Sequence, residues 1–290
     1  VTVETDTAPR VKPAPGAELL VAKGVVMQFG GLLAVNNVDL TVREGEIVGL
    51  IGPNGAGKTT FFNCLTGMYR PTRGTVTFQG SVLPPRPRAV VRAGMARTFQ
   101  NIRLFSNMSA LENVMVGRYC RTSAMAFTAI VRGPKFRREE AATRERAQEL
   151  LDFVGLGGSG EHLARNLPYG DQRRLEIARA LATDPKVLLL DEPTAGMNPL
   201  ETRQAMELIF RIRDNGIAVV VIEHDMRFIF TLCDRVLCLV RGETLVEGSP
   251  DQVQSDHRVI EAYIGTADDD DDDGVQTTPV TLDKTRKEDR

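Results

Sequence analysis

The spacing of apolar positions changes several times along the chain, and each change marks an expected element. Glu18 to Gln28 and Val38 to Val42 run apolar or alternate with polar residues, as half-buried strands do, with Gly30-Gly31 as a turn. "EIVGLIG" (Glu46 to Gly52) is a short apolar strand leading into a glycine-rich loop, and "KTTFFNCLTG" then takes helical spacing until Gly67 stops it. "GTVTFQG" alternates again, as a half-buried strand. From Asn101 to about Leu163 the pattern turns helical, most plainly in "RREEAATRERAQELLDFVGL", and "QRRLEIARALATD" is a further amphipathic helix. Two strongly apolar strands, "KVLLLDE" and "GIAVVVIEH", enclose the helix "PLETRQAMELIFRIRDNG". Strands alternating with helices predict an α/β protein around a parallel sheet. No internal repeat is visible, so one such unit is expected.

Composition adds boundaries to this picture. An apolar content of 42%, with 26% charged residues, is enough for a packed core. The formal net charge of −2 is unevenly placed: residues 266–290 hold nine acidic groups against four basic ones, a net −5, which leaves +3 on residues 1–265. Asp268 to Asp273 repel one another and bury nothing, so 266–290 is expected to be a disordered acidic tail. Residues 1–17, with "APRVKPAPG", read as a flexible lead, and 18–265 as the folded domain. No apolar run reaches the roughly 18 residues needed to span a bilayer, and no basic-then-apolar signal segment precedes the domain. Cys64, Cys120, Cys233 and Cys238 form no CxxC pair, which suggests buried, reduced thiols in a cytosolic chain.

The chemistry concentrates in a few segments. "GPNGAGKTT" meets G-x-x-x-x-G-K-[ST] in the strand–loop–helix setting that this motif requires. Its residues Gly52, Pro53, Asn54, Gly55, Ala56, Gly57, Lys58, Thr59 and Thr60 would wrap backbone N–H groups around phosphate oxygens, helped by the positive end of the following helix. Lys58 would reach the β- and γ-phosphates and Thr59 would place a hydroxyl on Mg²⁺. The competing reading is a chance glycine turn. "VLLLDE" lifts Asp191 to the edge of that site, where it could hold Mg²⁺ through water, and puts Glu192 where it could deprotonate an attacking water. The competing reading there is an acidic cap on the next helix. Gln100 closes the strand-like "GMARTFQ", His224 ends an apolar strand, and Phe29 precedes the loop with a ring face that could meet an adenine. Taken alone, a Phe beside Gly30 or a single His is more often structural.

The order of "GPNGAGKTT", "RTFQ", "YGDQRRLEIARAL", "LLLDEPTAG" and "IEHDM" resembles the ATP-binding subunits of ABC transporters, over roughly Leu19 to Gly265. "FGGLLAVNNVDL", "NCLTGMYRPTRGTV", "RTFQNIRLF", "NLPYGDQRRLEIAR" and "VIEAYIG" are similar to one branch, the LivG-type ATPases of bacterial branched-chain amino acid importers. The resemblance implies an α/β P-loop NTPase fold with a mixed core sheet, an antiparallel β subdomain and an α-helical subdomain inserted at about 101–166. It implies ATP as the nucleotide and Mg²⁺ as the ion, held by Thr59, Gln100 and Asp191. It makes Phe29 the adenine-stacking aromatic, Gln100 the Q-loop residue, Glu192 the catalytic base and His224 the switch histidine. Asn198 stands where many relatives carry Asp, which bears on its communication role.

Leu167, Pro168, Tyr169, Gly170 and Asp171 occupy the position of the ABC signature, usually Leu-Ser-Gly-Gly-Gln. In the family this segment serves the partner subunit's ATP, through a Ser hydroxyl and glycine N–H groups at a helix N-terminus. Pro168 removes both the hydroxyl and a backbone donor, and Tyr169 replaces a small glycine. Either the segment merely caps the helix "QRRLEIARAL", or it makes the assembly asymmetric, with a second ATPase subunit bringing an intact signature. Implied partners are that second ATPase, as a heterodimer, two permease subunits, and an extracytoplasmic substrate-binding protein acting through them; nucleic acid is not among them. The expected place is the cytoplasmic face of the plasma membrane, peripheral through the permeases. Residues 118–146 carry eight basic against three acidic residues, and solvated helix faces account for most of them. Related importers carry urea, amides or other amino acids. A soluble ABC ATPase of translation or DNA repair would show tandem units or long coiled-coil insertions, and an exporter half-transporter would show fused membrane helices.

Overall fold

The computed structural model describes residues 16–121 and 134–264. The lead up to residue 15, the acidic tail and the middle of the basic stretch lie outside the described residues. The folding logic starts from β3 (Ile47–Ile51), all five of whose residues are buried. It is flanked in parallel by β8 (Ala218–Ile222) and β9 (Arg235–Val240). Beyond β8 come β7 (Val187–Asp191) and the short β6 (Met95–Arg97), also parallel, and β10 (Glu243–Gly248) pairs antiparallel with β9 to close the other edge. The order is therefore β10-β9-β3-β8-β7-β6.

These strands read as unbroken apolar runs because both faces of the sheet are covered. Ile47, Ile51, Leu188, Leu190, Val219, Val221, Val236 and Cys238 point into a core shared with helices. Their neighbours Val48, Leu50, Val187, Leu189, Val220, Ile222, Leu237 and Leu239 point into a second core. That second core is completed by α1 (Lys58–Leu65) and by a four-stranded antiparallel sheet, in the order β2-β1-β4-β5, of β1 (Glu18–Phe29), β2 (Leu32–Arg43), β4 (Arg73–Phe78) and β5 (Ser81–Val82). β2 begins at Leu32, earlier than the apolar pattern suggested, because Leu32 and Leu33 pair with Phe29 and Gln28 across the glycine turn while staying exposed.

α2 (Pro87–Ala93) leads through Gly94 into β6. The expected helical stretch starts later than Asn101. Residues 101–109 are irregular, and α3 (Ala110–Arg118) opens only at a capping box in which Ser109 and Glu112 satisfy each other's backbone N–H groups. α3 packs against α4 (Pro134–Phe153) and α5 (Tyr169–Leu181). α5 starts inside the signature stretch, so that Tyr169, Gly170 and Asp171 are its first turn and not a cap placed before it. Pro168 is its N-cap residue and offers no side-chain bond to the helix's open amides. α6 (Pro199–Asp214) opens with Asn198, whose side-chain oxygen accepts from the amides of Leu200 and Glu201. α7 (Met226–Leu232), α8 (Pro250–Gln254) and α9 (His257–Ile264) complete the described chain. Among the described residues no helix is long and apolar enough to cross a membrane.

Candidate active site

The loop between β3 and α1 bends at two left-handed glycines, Gly55 (φ 74°) and Gly57 (φ 91°). At Gly57 a Cβ would overlap the carbonyl oxygen of Ala34, so only glycine lets the loop close here. The loop is clasped from two sides. The β9–β10 turn donates Gly242 N–H to the Ala56 carbonyl, and Asn36 N–H of β2 donates to the Gly242 carbonyl. Lys58 is buried, and its ammonium donates to the carbonyls of Gly52 (2.6 Å) and Pro53 (2.9 Å). Burial pushes its pKa down, while the charges of Glu192, Cys238 and Asp191 partly offset that push.

Beside the loop stands a cluster that no local spacing in the sequence could display. Glu192 sits just past β7 with φ 48°, a left-handed conformation uncommon for a non-glycine residue, and its N–H donates to the Ile222 carbonyl. One carboxylate oxygen accepts from Gln100 Nε2 at 2.8 Å; the other lies 2.7 Å from His224 Nε2. Glu223, buried next to His224, accepts both the N–H (2.7 Å) and the hydroxyl (2.6 Å) of Thr194, two residues beyond Glu192. It thereby ties the end of β8 to the turn that carries the carboxylate. Together the loop residues Asn54 to Thr60, Gln100, Glu192, His224 and Arg241 line a cleft of about 600 Å³, whose apolar side is Leu32, Leu33 and Ala34.

Phe29 lies outside this lining. It is 42% exposed and its ring meets Tyr69 edge-on, with centroids 5.4 Å apart. Asp191 is buried and engaged: Arg97 Nη2 donates to its Oδ2 at 2.6 Å, while Oδ1 receives none of the described hydrogen bonds. Arg97 also donates to Asn63 and Thr66 of α1 and lies between the rings of Phe62 and Phe99. The signature residues line no part of the cleft. Tyr169 rests its ring on Gly196 and accepts a bond from Arg173 at 2.9 Å. Arg173 in turn donates to the backbone carbonyls of Phe99 and Gln100, and buried Glu176 accepts the Phe99 N–H. Burial raises the Glu176 pKa, opposed by that N–H and by Arg179 and Arg173.

The cradle suits a nucleotide triphosphate: glycines at positive φ, a buried ammonium at its floor, and a helix N-terminus with Thr59 exposed on it. Comparison with known proteins decides the family. A profile described as "ABC transporter" matches residues 35–195, and one described as "Branched-chain amino acid ATP-binding cassette transporter" matches 243–269. The chain is 46% identical over 251 residues to the high-affinity branched-chain amino acid transport ATP-binding protein LivG of Salmonella typhimurium, covering 86% of this chain and 98% of that protein. The chain belongs to the ABC transporter ATPases. The corresponding protein BraF of Pseudomonas aeruginosa is 43% identical over 86% of this chain and 98% of its own length. A crystal structure of a nucleotide-free ATP-binding cassette matches this ABC ATPase with a TM-score of 0.75 and 29% identity, over 86% of this chain and 100% of that one. A dimeric cassette in a post-hydrolysis state, bound to ADP and Pi, matches with a TM-score of 0.67 and 27% identity, over 80% and 99% of the two chains. As a member of this family the protein binds ATP and hydrolyses it to power transport. The two sheets and the helices around them are those of the P-loop ABC fold.

Sequence reasoning did not find Arg97, Glu223 or the Arg173–Glu176 pair. Signals existed for two of them: an arginine inside the strand-like "GMARTFQ", and a carboxylate ending an apolar strand immediately before His224.

Proposed function

We propose that this ABC ATPase energises uptake of branched-chain amino acids through separate permease subunits at the cytoplasmic face of the membrane. The observation that carries this reading is the match of its C-terminal residues 243–269 to the branched-chain profile, beside the LivG and BraF relatives.

In this reading the backbone amides from Asn54 to Thr60 and the Lys58 ammonium hold the phosphates. Thr59, Gln100 and Asp191 would hold Mg²⁺. When bound, that ion would neutralise charge developing on the phosphate oxygens. Glu192 accepts the proton of the attacking water. One of its oxygens accepts from Gln100 and the other meets His224. Each carboxylate oxygen keeps a second lone pair, so the attacking water can be accepted beside these two contacts, which hold the carboxylate in place for it. Phe29 keeps enough exposed ring for an adenine.

The signature supports an asymmetric pair of ATPases. Pro168 has no N–H to give, and the Tyr169 ring covers Gly196 where a glycine would leave space. A partner ATPase with an intact signature would then complete the site on this chain's Lys58, and the opposite site would turn over slowly. A substrate-binding protein outside the membrane would choose the cargo.

The test is purification of the chain from gently solubilised native membranes, followed by uptake assays in vesicles. Two permeases and a second ATPase, with ATP-driven leucine uptake, are the expected outcome. Uptake of urea or an amide instead would redirect the substrate. Equal loss of transport on replacing either subunit's catalytic glutamate would sink the asymmetry.

A further inference from the structure

The first amide of the phosphate-binding loop has an unexpected partner. Gly52 N–H donates to the phenolic oxygen of Tyr263 at 2.7 Å, across 211 residues of sequence. Gly52 is buried and has φ 148°, and a Cβ at this position would overlap the Leu239 carbonyl of β9. The backbone of β9 thus packs directly against this residue, and a buried N–H needs an acceptor where it stands. Its carbonyl is held as well, by Lys58. Lys58 divides its donors between Gly52, Pro53 and any phosphate that enters, so that hold weakens when the ammonium is drawn toward nucleotide.

Tyr263 belongs to α9, which is anchored independently of the loop. Val259 on the same helix is buried in the helical core, Tyr263 packs against that core, and α8 before it is fixed by buried Val253 and a Ser249–Gln252 capping box. The phenol is thus presented by a docked element.

We propose that Tyr263 is a positioning residue of the ATP site: its hydroxyl holds the entry of the phosphate-binding loop in its binding geometry. The segment matched by the branched-chain profile is then a working part of the nucleotide site. This rests on ATP binding at the loop and not on the transported substrate, so the substrate assignment could fail and leave it standing.

The experiment compares Y263F with V259A in the full chain. Y263F removes one oxygen and leaves the Gly52 amide without its acceptor. KM and Kd for ATP are expected to rise by about 5- to 50-fold, with kcat at saturating ATP changed less than about twofold, because the loss falls on the shape of the empty loop. V259A loosens the docking of the helix but keeps the phenol, and is expected to lower the melting temperature while raising KM less than Y263F does. A Y263F enzyme with wild-type KM overturns the proposal, as does a V259A enzyme whose KM rises as far as that of Y263F. The wild-type protein supplies a readout that does not depend on either variant folding. ATP is expected to slow hydrogen exchange in a peptide covering residues 257–264, and unchanged exchange there overturns the proposal too.

Discussion

Replacing Arg97 by methionine tests whether the ion pair behind the phosphate site holds the domain together. The guanidinium is 9% exposed and the Asp191 carboxylate 6%, with 2.6 Å between Nη2 and Oδ2. The same group bonds Asn63 Oδ1 (2.6 Å) and Thr66 Oγ1 (3.3 Å) and lies 5.4 Å from the ring centres of both Phe62 and Phe99. Methionine keeps much of the apolar stem and its contact with the rings, so the loss is mainly electrostatic. Removing one member of a buried pair leaves an uncompensated charge and costs about 3–5 kcal/mol, far more than the roughly 0–1 kcal/mol of a surface pair. Among the described residues Arg97 Nε is a buried donor without a partner, so the pair carries a standing cost that the Met variant removes; the lower half of that range is the better figure. The assay is urea unfolding without nucleotide, followed by circular dichroism because the chain has no tryptophan. R97M should lose about 3 kcal/mol. The double variant R97M/D191N, which removes both charges, should recover at least half of that. A loss below about 1 kcal/mol for R97M, or a double variant as unstable as the sum of the two single ones, would refute the reasoning.

Other outcomes follow from the same geometry. Glu192→Gln should keep ATP binding and lower kcat by about 10²- to 10⁴-fold in steady-state turnover, as expected for loss of a general base. Arg173→Lys cannot reproduce the fork that grips the Phe99 and Gln100 carbonyls; kcat should fall by about tenfold with KM for ATP unchanged, and an unchanged kcat would free Gln100 from that anchor. Burial pushes the Cys64 and Cys238 thiols up to about 11 from an ordinary 9.0. Above pH 9 the unfolded chain releases these protons before the folded one does, so stability is lost as pH rises from about 9 to about 11, by at most about 2–3 kcal/mol per thiol. Lys58, shifted downward, works in the opposite sense, so the clean measurement is the change in pH slope between the wild type and C64A/C238A.

What the sequence disclosed and what it hid divide along chain distance. The phosphate loop was legible because its chemistry is written in nine adjacent residues, Gly52 to Thr60. Asp191 and Glu192 were legible because an apolar strand ends on them, and Gln100 and His224, placed by order along the chain, do converge on Glu192. The failures involve partners far apart. Arg97 meets Asp191 across 94 residues, and Tyr263 meets Gly52 across 211, so no spacing rule relates them. The β9–β10 hairpin and α7 carry no motif that marks them in the sequence, although "RVLCLV" is as apolar as β3. The adenine role of Phe29 is implied by resemblance alone, while its ring contact with Tyr69 depends on where the β1–β2 turn folds over.

The central position of β3 also sets the order in which the protein can assemble. β3 leaves the ribosome early, yet both of its neighbours come late: the Ile47 amide waits for the Asp234 carboxylate, 187 residues further on. At about 5–20 residues per second this means on the order of 10–40 s during which an entirely apolar strand has neither edge paired. The part of the molecule that will grip ATP is thus made first and finished last. The nascent chain has to be shielded over that interval, and a stop codon anywhere before β8 would release a product with a complete phosphate-loop sequence and neither of the strands that flank β3.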